Sequence, residues 1–171
     1  MSHYAIHAPF EANERFEVTT PDCELPALQQ TYATMISMDE SLGQIMDFVD
    51  TRNIADNTII LFMSDNGQAP SAPANKPLRG HKLNAYEGGI RVPFIAHWPG
   101  VTKPGTINSS DYLIIEDIFP SILELAGMPV NDIPTMGIDG KSFVPMLQGE
   151  TEVRHSIPIL ALPQHLFCSA I

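Results

Sequence analysis

The chain has 171 residues, 44% of them hydrophobic and 17% charged, and nine basic residues against twenty acidic ones leave a formal charge of −11. That length fits one domain able to bury roughly 70% of its unfolded surface, and the composition excludes a disordered chain. The acidic balance argues against a nucleic-acid backbone or an anionic membrane surface as partner, and an anionic substrate would need local cations that outweigh the global field.

The first residues, Ser2 to Ile6, read as an apolar strand, followed at once by His7-Ala8-Pro9. No signal-peptide pattern of basic and apolar blocks lies between Met1 and Phe10, so localisation stays open. Pro9, Pro21 and Pro26 stand among polar residues and mark 8–26 as an excursion loop. From Leu28 the pattern changes: Leu28, Tyr32, Met35, Leu42, Ile45 and Val49 recur at three- and four-residue steps, one face of a helix running to about Asp50. Met38 and Met46 widen that stripe as core packing rather than as ligands.

Asp56-Asn57 signals a turn, and Thr58 to Met63 is a continuous β-branched and apolar run. Continuous apolarity suits a strand buried on both faces, and helix followed by such a strand is half of a βαβ unit. A long polar stretch over 67–90 follows, of a length that usually binds something. Val92 to Trp98 reads as the next strand, with Pro93 at its first residue or on an edge. Asp111 precedes a helical segment through Ile118, Ile122 and Leu125, stopped by Gly127 and Pro129. Pro120 predicts two short helices there or one with a kink. Gly140 to Gly149 predicts one more short helix, and the apolar run from Ile157 stops with the chain. No apolar run approaches the roughly 20 residues needed to cross a bilayer. Cys23 and Cys168 are too few and too far apart to announce a disulfide framework or a zinc site.

Three places carry chemistry. Asp65-Asn66, at the end of the first buried strand, offers the hard oxygens that Ca²⁺ or Mg²⁺ prefers, and an Asx-turn explains the same pair equally well. Lys82 is a point charge able to hold an oxyanion, ahead of a Glu87-Gly88-Gly89 segment in which the backbone can turn tightly; solvated surface is the plainer reading. His7 stands at a strand end, where a structural role is the default.

Taken together these strings resemble the sulfatase family of the alkaline phosphatase superfamily. The resemblance rests on Glu87-Gly88-Gly89-Ile90-Arg91-Val92-Pro93 with Trp98-Pro99-Gly100, on Asp65-Asn66-Gly67, on Asp117 to Leu123 with Ala126-Gly127, and on Asp139-Gly140-Lys141-Ser142. It implies an α/β fold, a mostly parallel β-sheet sandwiched between helices, here incomplete. Residues 1–155 would be the C-terminal portion of a catalytic domain, and 156–171 the truncated start of the following segment. It implies hydrolysis of a sulfate ester, with Asp65 and Asn66 on calcium (magnesium being the alternative), and Lys82 and His7 on the sulfate. Glu87, Gly88, Gly89 and Arg91 would support that site. His7 would assist the leaving oxygen, a task that suits imidazole.

The family nucleophile, a formylglycine made from Cys/Ser-x-Pro/Ala-x-Arg, has no counterpart here. Cys23 and Cys168 lack the arginine, and Ser71-Ala72-Pro73-Ala74 is followed by Asn75. Formylglycine is therefore expected in a missing N-terminal half, and the chain alone is expected to be inactive. That half, or a second copy of the chain, is the expected partner. Phosphate or phosphonate ester hydrolysis, and a non-catalytic folded remnant, remain the alternative functions.

Overall fold

The computed structural model describes residues 3–7, 9, 11, 13–17, 26–70, 76–109, 111–133 and 137–150. Cys23, Cys168, the Ser71–Asn75 stretch and the segment 156–171 lie outside the described residues. The chain forms two compact units, one built on residues up to Ile95 and one from Ala96 onward.

In the first unit, residues 3–6 are not the expected strand. They form a turn, closed by the His7 N–H donating to the Tyr4 carbonyl at 2.9 Å. The run from Ser2 is only a few residues long, and apolarity that short does not by itself select strand over turn. The expected loop after it contains a helical turn, α1 (Glu14–Glu17). Phe16 of α1 is buried, and Arg15 reaches Glu40 of the next helix at 2.7 Å.

That helix, α2, runs from Pro26 to Thr51. Proline is tolerated at the first helical position because its absent N–H has no intrahelical partner to lose. Ala33 and Val49 are buried, together with Thr31. Tyr32, Met35 and Met46 remain substantially exposed, so only part of the apolar stripe is covered among the described residues. The helix ends on Asn53 at φ 55°, with Asn53 N–H on the Asp50 carbonyl (2.9 Å) and Ile54 N–H on that of Val49 (3.2 Å). This left-handed cap satisfies carbonyls that the last turn would otherwise leave open.

A short 3₁₀ turn (Ala55–Asn57) leads into β1 (Ile60–Met63), whose four residues are all half-buried instead of buried on both faces. One neighbouring strand accounts for this: β1 hydrogen-bonds to β2 (Phe94–His97), and the described residues form a two-stranded sheet. Between them the polar stretch includes a single helical turn, α3 (Glu87–Ile90). In β2 half-buried and exposed residues alternate, as befits a strand covered on one face, and Pro93 lies just before it.

The second unit is organised around a 3₁₀ turn (Ile115–Asp117) that continues into α4 (Ile118–Leu125), which resolves the two-helix expectation at Pro120. Pro120 falls in the first turn of α4, where a missing N–H interrupts no helical bond. Gly127 at φ 90° and Gly149 at φ 86° close α4 and α5 (Val144–Leu147) with the same left-handed cap as Asn53. The Asp117 carboxylate, fully buried, accepts the Ile114 N–H at 3.0 Å and the Lys141 N–H at 2.7 Å. Ser121 donates to the Asp117 carbonyl at 2.6 Å and accepts the Phe143 N–H at 2.8 Å. Phe143 and Val144 complete this core, and a methyl at Gly140 would collide with the Glu116 carbonyl.

Candidate functional site

β1 ends in Ser64-Asp65-Asn66-Gly67, and backbone hydrogen bonds fasten this corner to the polar stretch. Gly67 N–H donates to the Gly89 carbonyl at 2.9 Å, Lys82 N–H to that of Gln68 at 2.8 Å, and Gly88 N–H to that of Arg79 at 2.7 Å. The glycines permit this lacing. A methyl at Gly67 would collide with the Gly88 carbonyl, one at Gly88 with that of Gly80, and one at Gly89 with that of Asn84. Gly88 and Gly89 are accordingly buried, while Glu87 and Arg91 form an exposed ion pair at 3.1 Å across α3.

Lys82 occupies a tight turn in which the Asn84 N–H reaches the His81 carbonyl at 2.9 Å. Asn84 returns its side-chain oxygen to the His81 N–H at 3.2 Å. The His81 ring bonds the Lys82 carbonyl through Nδ1 at 2.7 Å, so Nδ1 carries the proton there. Leu83, the other central residue of the turn, sits at φ 78°. A leucine in the left-handed region costs about 1–2 kcal/mol relative to glycine.

The Lys82 Nζ lies 3.4 Å from Nε2 of His7. An ammonium can only donate, so in this contact Nε2 is the acceptor. The Tyr4 ring lies 5.4 Å from the His7 ring, inclined at 55°. Among the described residues, ion pairs join Arg15 to Glu40 and Arg91 to Glu87, and neither Lys82 nor Asp65 has an oppositely charged partner. Nearby, the Arg79 guanidinium stacks 3.9 Å from the centre of the Tyr86 ring.

The structure therefore brings His7 and Lys82 into contact. It ties Asp65 and Asn66 to the same turn through the Gln68 carbonyl, two residues beyond Asn66. Asp65 is exposed and Asn66 half-buried, and the Ser64 hydroxyl lies 3.4 Å from Asp65 Oδ1 and 3.2 Å from the Asn66 carbonyl. The two residues offer hard oxygens that fit calcium or magnesium chemically. Among the described residues no group of three His, Cys, Asp or Glu side chains could hold a metal ion, so further ligands would come from elsewhere. Sequence reasoning passed over Tyr4, Gln68, Leu83 and Asn84. Gln68 acts through its carbonyl, which residue identity does not reveal, and nothing in the string marks Leu83 for a positive φ.

Comparisons with known proteins match most of this chain. The family model described as Sulfatase matches residues 1–128. A sulfatase of Formosa agariphila is 34% identical over 135 residues, covering 74% of this chain and 24% of that protein. Human N-acetylgalactosamine-6-sulfatase is 36% identical over 153 residues, covering 85% and 27%. Human steryl-sulfatase is 36% identical over 124 residues, covering 67% and 21%. Among solved structures, Ps i-CgsB in complex with k-i-k-neocarrahexaose superposes with a TM-score of 0.77 at 29% identity, over 86% of this chain and 32% of that one. The chain thus spans about a quarter of the length of the curated relatives it matches.

Proposed function

Because the chain belongs to the sulfatase family, we propose that Lys82 and His7 form the anion-holding part of a sulfuric ester hydrolase site. The observation that carries this reading is the 3.4 Å contact between the Lys82 ammonium and the His7 ring, with no carboxylate paired to that ammonium among the described residues. In a chain of net charge −11, a cation without a carboxylate partner is what an incoming sulfate can use.

Each side chain then has a task. Lys82, a compact ammonium with three donors, holds a sulfate oxygen. His7 gives a proton to the ester oxygen as its bond to sulfur breaks, so that the group departs as a neutral alcohol. Asp65 and Asn66 would hold a divalent cation, calcium or magnesium, which when bound supplies further positive charge to the sulfate. Gly88 and Gly89 let the loop lie flush behind Lys82, and the exposed Glu87–Arg91 pair spans the turn of helix that contains them. The formylglycine nucleophile has no source segment in this sequence. We therefore place it in sequence outside these 171 residues, in the part that completes the mostly parallel, alkaline-phosphatase-like sheet. The chain by itself then binds sulfate esters without turning them over.

Calorimetric titration with inorganic sulfate and 4-nitrophenyl sulfate tests this. Lys82→Ala is expected to weaken both at least tenfold, and no 4-nitrophenolate should be released by the chain alone. Unchanged sulfate affinity in Lys82→Ala would remove the basis of the reading. Tighter binding of inorganic phosphate than of sulfate would favour phosphoryl ester chemistry at the same site.

A further inference from the structure

We propose that Arg79 and Tyr86 are positioning residues for Lys82: their stack closes the neck of the loop that carries the lysine and sets it in place before an anion arrives. This rests on the sulfate reading above and adds to it two residues that act through Lys82 without touching the sulfate.

The loop leaves its neck at Arg79 and returns at Gly88, where the Gly88 N–H donates to the Arg79 carbonyl at 2.7 Å. Lys82 lies between them, with its own N–H on the Gln68 carbonyl at 2.8 Å. The Arg79 guanidinium lies 3.9 Å from the centre of the Tyr86 ring, so the outgoing arm of the loop is stacked on the returning one. Both residues are exposed, and among the described residues Arg79 has no carboxylate partner, Glu87 being paired with Arg91. Two large surface side chains thus give up rotamer freedom for each other, which adds little to global stability. Gly80 makes the close approach possible. It stands at φ 85°, and a methyl there would come 2.9 Å from Cβ of Tyr86 and 3.1 Å from Oδ1 of Asn84. That same Asn84 oxygen accepts the His81 N–H at 3.2 Å, in the turn that holds Lys82. The stack, the backbone of Gly80 and the lysine turn are therefore one continuous set of contacts. A loop already held in its binding form has less freedom to lose when an anion arrives, so the stack acts on affinity.

Calorimetric titration of the full chain with inorganic sulfate tests this. Tyr86→Leu and Arg79→Gln are each expected to weaken sulfate about threefold, the worth of one exposed cation–π contact. The double variant should lose no more than either alone, because both remove the same contact. Tyr86→Phe keeps the ring and should keep the wild-type affinity. In a Lys82→Ala background neither substitution should weaken sulfate further. A merely structural stack would instead lower the thermal midpoint of both variants and leave the affinity of the folded chain unchanged. Wild-type affinity in both single variants overturns the positioning role and leaves the sulfate site standing. A loss confined to Arg79→Gln, or one that persists without Lys82, also overturns it, since the guanidinium would then touch the anion itself. Absence of sulfate binding by the wild-type chain overturns both.

Discussion

Asp117 is buried completely, yet its two carboxylate oxygens are each matched to a backbone N–H, from Ile114 and from Lys141. Removing the acceptor leaves those donors without a partner in a site that water does not reach, and each such group costs about 1–3 kcal/mol. Asp117→Ala is therefore expected to lower stability by about 3 kcal/mol in urea denaturation, and Asp117→Asn by less, since the amide keeps one acceptor. Glu124 shows the opposite case. Its Oε2 is buried and finds no hydrogen-bond partner among the described residues. Glu124→Met should raise the stability read from the same transition by about 1 kcal/mol. At this scale the sequence was partly readable. Asp65, Asn66, Lys82 and His7 could be picked out because charge and position mark them, while Asp117 stood only as one letter of a resembling string. Its task, capping two backbone segments distant in sequence, depends on contacts that no local pattern encodes.

The elements that were legible are those whose periodicity is long. α2 could be read from a stripe repeated over several turns, and β1 and β2 from apolar runs bounded by turn residues. α1, with four residues, is shorter than one repeat of such a pattern, so it was read as loop. It persists because Phe16 is buried, at 8% exposure, with Arg15 stacked 4.6 Å above its ring. Phe16→Ala should cost about 3 kcal/mol, as truncation of a buried phenylalanine does. Loss of the exposed Arg15–Glu40 pair through Arg15→Ala should cost less than about 1 kcal/mol. Thermal melting of the two variants separates these effects. If the arginine variant melted lower than the phenylalanine variant, α1 would be held electrostatically. The depth of β1 was overread, since continuous apolarity tells how a strand could be covered but not how many neighbours cover it.

At the scale of the molecule, Ile115, Phe119 and Ile122 recur at helical spacing and are all at least half exposed. An apolar face of this kind is a surface on which further protein packs, and for the chain in solution that is a second copy of itself. Sedimentation velocity should show association that grows with concentration, and Phe119→Lys with Ile122→Lys should return the chain to monomer. A wild-type chain that sediments as a monomer throughout would count against such a partner surface. The architecture that surrounds this face could not be read from 171 residues, because a sheet is defined by strands that pair across long separations. What the chain does hold within itself is the interlock of Gly67, Gly88 and Gly89, where main chain rests on main chain with no side chain between. Such a joint is indifferent to the identity of its neighbours. A library randomising residues 79–91 should return glycine at 88 and 89 and almost any residue at the exposed Ala85. If the lysine holds sulfate as proposed, its placement is thereby uncoupled from the side chains around it other than the Arg79–Tyr86 stack, so a descendant could change its diet while keeping its anchor.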